Sequence, residues 1–111
     1  MANNRNITVF DFTDQTATQT GGAMDLTDYK DFHAILSVTA ASGTDETLDV
    51  KFQHSVDGAV WLDHTSFTQA TAATSELKTM ANVCGVVRAV ATIGGTATPT
   101  FTYELKVTCK A

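Results

Sequence analysis

Residues 48–69 read LDVKFQHSVDGAVWLDHTSFTQ, and this stretch decides the fold. Leu48, Val50, Phe52 and His54 alternate with Asp49, Lys51, Gln53 and Ser55. A period of two sends successive side chains to opposite sides of a pleated backbone, so the run is a half-buried strand and not a helix. Asp57-Gly58 then supplies a tight turn, because aspartate tolerates positive φ and glycine adopts it freely. The returning arm carries Trp61, the only tryptophan. The expectation is a hairpin of residues 46–56 and 60–65. His54 points inward, and Trp61 and Phe67 serve as aromatic anchors in the core or between sheets.

Upstream, residues 32–41 (FHAILSVTAA) form a second alternating strand. Phe32, Ala34, Leu36, Val38 and Ala40 line one face, and His33, Ile35, Ser37 and Thr39 the other. Ile35 is apolar on the polar side, which makes it a candidate contact for a neighbour or partner. Residues 7–12 read as a first strand, a short strand falls at 15–20 or 23–26, and residues 25–31 (DLTDYKD) read as a turn with at most one helical turn. Residues 42–45 are a loop.

Downstream, residues 69–75 are a second loop and residues 76–80 a short strand with Leu77 inward. The last third reads as a hairpin of residues 83–93 and 100–108 around GGTATP at 94–99. Phe101, Tyr103, Leu105, Val107 and Cys109 alternate with Thr102, Glu104, Lys106 and Thr108. Placing Ala91 opposite Phe101 sets Val87 against Leu105 and Arg88 against Glu104, an opposite-charge cross-strand pair. Val86 and Val90 then lie on the polar face and join Ile35 as candidate interaction residues. Seven or eight strands, regular turns and no helix predict an all-β fold, a small antiparallel β-sandwich of immunoglobulin-like or jelly-roll-like type.

The chain of 111 residues is long enough for one domain and its core. A flexible polar arm is expected at residues 1–6 and the sandwich at 7–111. Threonine is the commonest residue, and threonine and valine, stiff at χ1, suit a pleated surface. The net charge is −5, and the seven lysines and arginines are scattered. No basic patch offers counterion release on a phosphate backbone, so nucleic acid is not an expected partner. A membrane is not expected either, since no basic amphipathic helix and no apolar run near ~20 residues occurs. MANNRNITVF lacks the pattern of a signal peptide, so synthesis in the cytoplasm is expected, with Cys84 and Cys109 as free thiols.

Chemistry is sparse. His33, His54 and His64 have no ligand spacing, and the Asp63-His64 pair has no specific nucleophile beside it. Asp25, Asp28 and Asp31 recur every third residue but lack the glycine and distant glutamate of a calcium loop. Gly94-Gly95 is followed by neither a lysine nor a helix, so it is a turn and not a phosphate loop. An exposed Trp61 would be a sugar-stacking platform; a packed Trp61 is an anchor, the reading preferred. No catalytic residue, cofactor or metal is expected.

The run 50–69, with the pattern V-x-x-Q-x-S-x-D-G-x-x-W-x-D followed by F-T-Q, resembles small structural proteins of tailed bacteriophages. The run 94–102, GGTATPTFT, is similar to their last hairpin. S-x-D-G-x-x-W also resembles a hairpin of discoidin-like sugar-binding domains, but the chain is shorter and lacks their terminal cysteine pair. The phage resemblance implies a non-enzymatic virion protein made in the host cytoplasm. Its implied role is that of a capsid decoration (cement) protein on the capsid surface. The implied partners are the major capsid protein and further copies of itself, a trimer at a local three-fold being the preferred state. It also implies that Asn3, Asn4 and Arg5 order against a neighbour. The alternative is a carbohydrate-binding β-sandwich of a phage tail or fibre, using Trp61.

Overall fold

The computed structural model describes residues 5–27 and 29–110. Among them are nine strands: β1 (Arg5–Gln15), β2 (Gln19–Thr20), β3 (Met24–Asp25), β4 (Asp31–Thr44), β5 (Thr47–Ser55), β6 (Leu62–Ser66), β7 (Thr74–Met80), β8 (Val86–Gly94) and β9 (Ala97–Lys110). They form two antiparallel sheets. One has the order β1-β9-β4-β7; in the other, β8 lies between β5 and the two-residue strands β2 and β3, with β6 outside β5. The fold is the antiparallel β-sandwich that the alternating pattern implies.

The alternation builds the core directly. Phe32, Ala34, Leu36 and Val38 of β4 and Phe101, Tyr103, Leu105 and Val107 of β9 are buried on one inner face. Leu48, Val50 and Phe52 of β5 and Val87, Ala89 and Ala91 of β8 are buried on the other. Phe10, Phe67 and Met80 join the same cluster. Phe67 packs its ring 6.1 Å from that of Phe52, so it is the aromatic anchor expected of it. Each buried Val, Leu, Phe or Met side chain contributes roughly 1.5–3 kcal/mol by leaving water.

The last third departs from expectation. β8 and β9 are not a hairpin: β8 pairs with β5, and β9 pairs with β1 and β4 in the opposite sheet. The Gly-rich segment carries the chain from one sheet to the other, with the Thr96 N–H bonded to the Thr44 carbonyl at 3.0 Å. Gly95 turns with φ of +148°. Two alternating strands bury the same residues whether they pair edge to edge or face each other across a core, so the period alone cannot separate the cases. Arg88 and Glu104 consequently do not meet. Glu104 stands opposite Ser37 and Asp11 and bonds Lys106 at 3.1 Å.

Other expectations are corrected as well. β1 begins at Arg5, so Arg5 and Asn6 are not arm but sheet, opposite Cys109 and Thr108. Asn3 and Asn4 lie outside the described residues. Leu77 points outward and is 57% exposed, because Met80, three residues on, takes the inward side opposite Phe32. Residues 42–44 extend β4 instead of forming a loop, and the turn comes at Asp45. The short strand expected at 15–20 or 23–26 is present in both places, as residues 19–20 and 24–25, and Asp25, expected in a turn, ends the second and closes a turn on the Thr27 N–H at 3.1 Å.

Candidate functional site

The outer face of the β6-β5-β8 sheet carries the densest set of side-chain contacts outside the core. The loop between β5 and β6 comes first in chain order. It is wider than a two-residue turn, because β5 ends at Ser55 and β6 begins at Leu62. The Asp57 carboxylate accepts the N–H of Ala59 at 2.9 Å and of Val60 at 3.1 Å, and the Ser55 hydroxyl at 3.0 Å. The Ser55 oxygen in turn accepts the N–H of Gly58 at 2.8 Å. Gly58 supplies a φ of +77°, which a side chain rarely adopts. The bonds from Ala59, Val60 and Ser55 hold the Asp57 carboxyl below its usual range. Asp57 and Gly58 are therefore structural: they fix a loop rather than close a tight hairpin.

The loop presents apolar surface. Val56 is 88%, Val60 64% and Leu62 66% exposed. Val56 and Val60 on the pinned loop and Leu62 at the start of β6 are three of the five large exposed hydrophobic residues described; the other two are Ile35 and Leu77. Exposed apolar side chains on a hydrogen-bonded frame suit a docking surface, since part of the ordering cost is met before binding.

Trp61 is half-buried and is not part of the core, which corrects its reading as a core or inter-sheet anchor. Its indole lies on the outer face with the Arg88 guanidinium 4.4 Å from the ring centroid. Residues 56–61 leave β5 in a six-residue loop, and that excursion carries the tryptophan over the sheet surface instead of through it. A polar row continues from there. Arg88 Nε donates to Gln53 Oε1 at 2.9 Å, Gln53 Nε2 donates to Asp63 Oδ1 at 2.9 Å, and Lys51 Nζ reaches Asp63 at 3.1 Å. The bonds from Gln53 and Lys51 lower the Asp63 carboxyl pKa. The signal for this row was the polar alternation of Lys51, Gln53 and Asp63; what hid it was the expectation that Trp61 packs inward.

The candidate contact residues named from sequence are dispersed. Val86 and Val90 alternate with the buried Val87, Ala89 and Ala91 of β8, so they lie half-buried on the same outer face as Arg88. Ile35 is 48% exposed on the outer face of the other sheet. The structure does not bring these three together.

Two of the three histidines hold structure. His54 Nδ1 accepts the Cys84 N–H at 3.0 Å, and its ring stands 4.8 Å edge-on to that of His64. His64 Nε2 donates to the Ala81 carbonyl at 3.0 Å. Asp63 faces Lys51 and Gln53, so Asp63 and His64 do not form an acid–base pair. Among the described residues no three His, Cys, Asp or Glu side chains converge as a metal site. Cys84 and Cys109 are free thiols, Cys109 in the core.

No family model matches the sequence. No curated protein matches it either. Solved structures share the fold. One, described as "Crystal structure of SPBc2 prophage-derived protein YomS", superposes with a TM-score of 0.59 over 100% of this chain and 96% of that chain, at 10% identity. Another, described as "CBM4 structure and function", gives a TM-score of 0.52 over 91% of this chain and 66% of that one, at 19% identity.

Proposed function

We propose that this chain is a bacteriophage virion structural protein, acting as a capsid decoration protein that binds the assembled head and stabilises it. The observation that carries the adhesive part of this reading is the Asp57-pinned loop with Val56, Val60 and Leu62 held out to solvent. The phage part is supported by the end-to-end likeness to a prophage-derived protein and by the resemblance of residues 50–69 to phage structural proteins. The proposed partner is the major capsid protein, the proposed place the capsid surface, and the role needs burial of apolar surface rather than catalysis.

The test is co-sedimentation with phage heads that lack the protein, followed by heating. Binding with a raised temperature of head disruption is the expected result. The variant V60D/L62D, folded by circular dichroism, should bind at least tenfold more weakly. Failure of the natural protein to bind any particle would overturn the reading.

A second reading, a carbohydrate-binding sandwich of a tail or fibre, is favoured by one observation. Trp61 lies half-exposed at the end of a row of hydrogen-bonding side chains, Arg88, Gln53, Asp63 and Lys51. Tryptophan fluorescence that changes with added oligosaccharide, together with no particle binding, would select it.

A further inference from the structure

Strand edges differ in how well they are protected. β1 carries two register shifts, β6 is five residues long with one shift, and β2 and β3 are two residues each. β7 is the exception: seven consecutive residues pair with β4 without a shift, and among the described residues its other edge has no strand. Such an edge is a template for strand addition unless something blocks it. Leu77 stands at its centre, 57% exposed, beside the 48% exposed Ile35 to which it is paired. These two line a groove of about 420 Å³ that continues across the sheet to Lys106 and Thr8.

The sequence of the edge is self-complementary. Residues 75–79 read S-E-L-K-T. We propose that β7 pairs antiparallel with β7 of a second copy about a two-fold axis at Leu77, joining the two four-stranded sheets into one of eight. In that register Leu77 faces its own symmetry mate, Glu76 stands opposite Lys78 of the second copy, Lys78 opposite Glu76, and Ser75 opposite Thr79. The apolar pair Ile35 and Leu77 then extends into a continuous stripe with the second copy's pair.

Charge disfavours the two neighbouring registers. Moving the axis to residue 76 sets Glu76 against Glu76, and moving it to 78 sets Lys78 against Lys78. Like charges directly opposite destabilise a pair of strands. Glu76 and Lys78 therefore discourage indiscriminate pairing while matching each other in this alignment. The Glu76 side chain is fixed within the chain, since its carboxylate accepts the N–H and the hydroxyl of Thr68 at 2.7 and 2.8 Å. An isologous two-fold contact yields a dimer, in place of the trimer expected from the family resemblance. The inference stands apart from head binding: dimer formation is read on the isolated protein.

Sedimentation equilibrium over a range of concentrations tests it. The natural chain should show a monomer–dimer equilibrium. Lys78→Glu sets acid against acid at both matched pairs and should weaken dimerisation about tenfold. The swap E76K/K78E restores opposite charges within the variant's own dimer and should recover it. An equimolar mixture of Glu76→Lys and Lys78→Glu should form a heterodimer even where each alone is monomeric. A natural chain that stays monomeric at millimolar concentration, a trimeric mass, or a Lys78→Glu variant that dimerises as well as the natural chain would each overturn the proposal.

Discussion

The Arg88 guanidinium lies over the indole of Trp61, 4.4 Å from the ring centroid, and joins the loop after β5 to the middle of β8. Arg88 is positioned for this by donating through Nε to Gln53, its cross-strand neighbour. The pair thus couples the pinned loop to the sheet beneath it. Cation–π contacts of this partly exposed kind contribute about 0.5–1 kcal/mol. Arg88→Ala should lower stability by about that amount and red-shift tryptophan emission as the indole gains water. Chemical unfolding monitored by fluorescence reads both. Unchanged emission would show that Arg88 does not cover the ring.

Asp57 should make the loop pH-dependent. Its carboxyl is held low chiefly by the N–H groups of Ala59 and Val60 and then by the Ser55 hydroxyl. In the unfolded chain the proton is taken up near the ordinary value of 3.8. Folding therefore favours the charged form. The stabilisation is complete above the ordinary carboxylate range and is lost as pH falls through the lowered folded value. The exchange protection factors of the Ala59 and Val60 amides, taken relative to the intrinsic rate at each pH, should be high at neutral pH and fall in acid below about pH 4. Asp57→Ala should remove the protection at all pH values while leaving exchange in β9 unaffected.

Tyr103 carries the opposite sign. Its hydroxyl is buried without a hydrogen-bond partner among the described residues, and burial pushes the phenol up to about 12 from 10.0. Between those values the unfolded chain loses its proton while the folded chain keeps it, so stability falls as pH rises. Tyr103→Phe removes an unsatisfied polar atom and keeps the ring that packs edge-on to Phe10 and Phe12. It should leave stability at pH 7 unchanged or raise it by up to about 1 kcal/mol. Its denaturation midpoint should also decline less steeply than the natural protein's above pH 10. A loss of more than about 1 kcal/mol at neutral pH would reveal a partner for the hydroxyl.

The crossing between β8 and β9 should depend on Gly95. A Cβ there would stand 3.1 Å from the Thr44 carbonyl and 3.1 Å from Pro99 Cβ, at a φ of +148°. Gly95→Ala should cost about 1–3 kcal/mol in urea unfolding. Gly22→Ala, where a Cβ would meet nothing within 4 Å, should change stability far less.

The sequence by itself determined the inward faces of β4, β5, β8 and β9. A two-residue period names Phe32, Leu36, Val50, Phe52, Tyr103 and Leu105 as core without reference to any partner strand, because the pleat alone assigns the side. It also marked Asp57-Gly58 as a turn: Gly58 takes the left-handed backbone, and the Asp57 carboxylate accepts the N–H groups that follow.

Tertiary structure decided which strands pair and which residues meet water. β8 and β9 are neighbours in sequence yet lie in opposite sheets, a choice set by packing of two inner faces that look alike in either arrangement. The same holds for the surface. Trp61 reads as core by its size, but a six-residue loop carries it onto the outer face beside Arg88. Val86 and Val90 do lie on the outward face of β8 with Arg88, but on the sheet opposite the one that carries Ile35. Leu77 reads as inward, but its pairing with Ile35 turns it to solvent, at the edge where a second copy fits. Local chemistry sets the direction of each side chain relative to its own strand; what lies on that side depends on contacts between residues far apart in the chain.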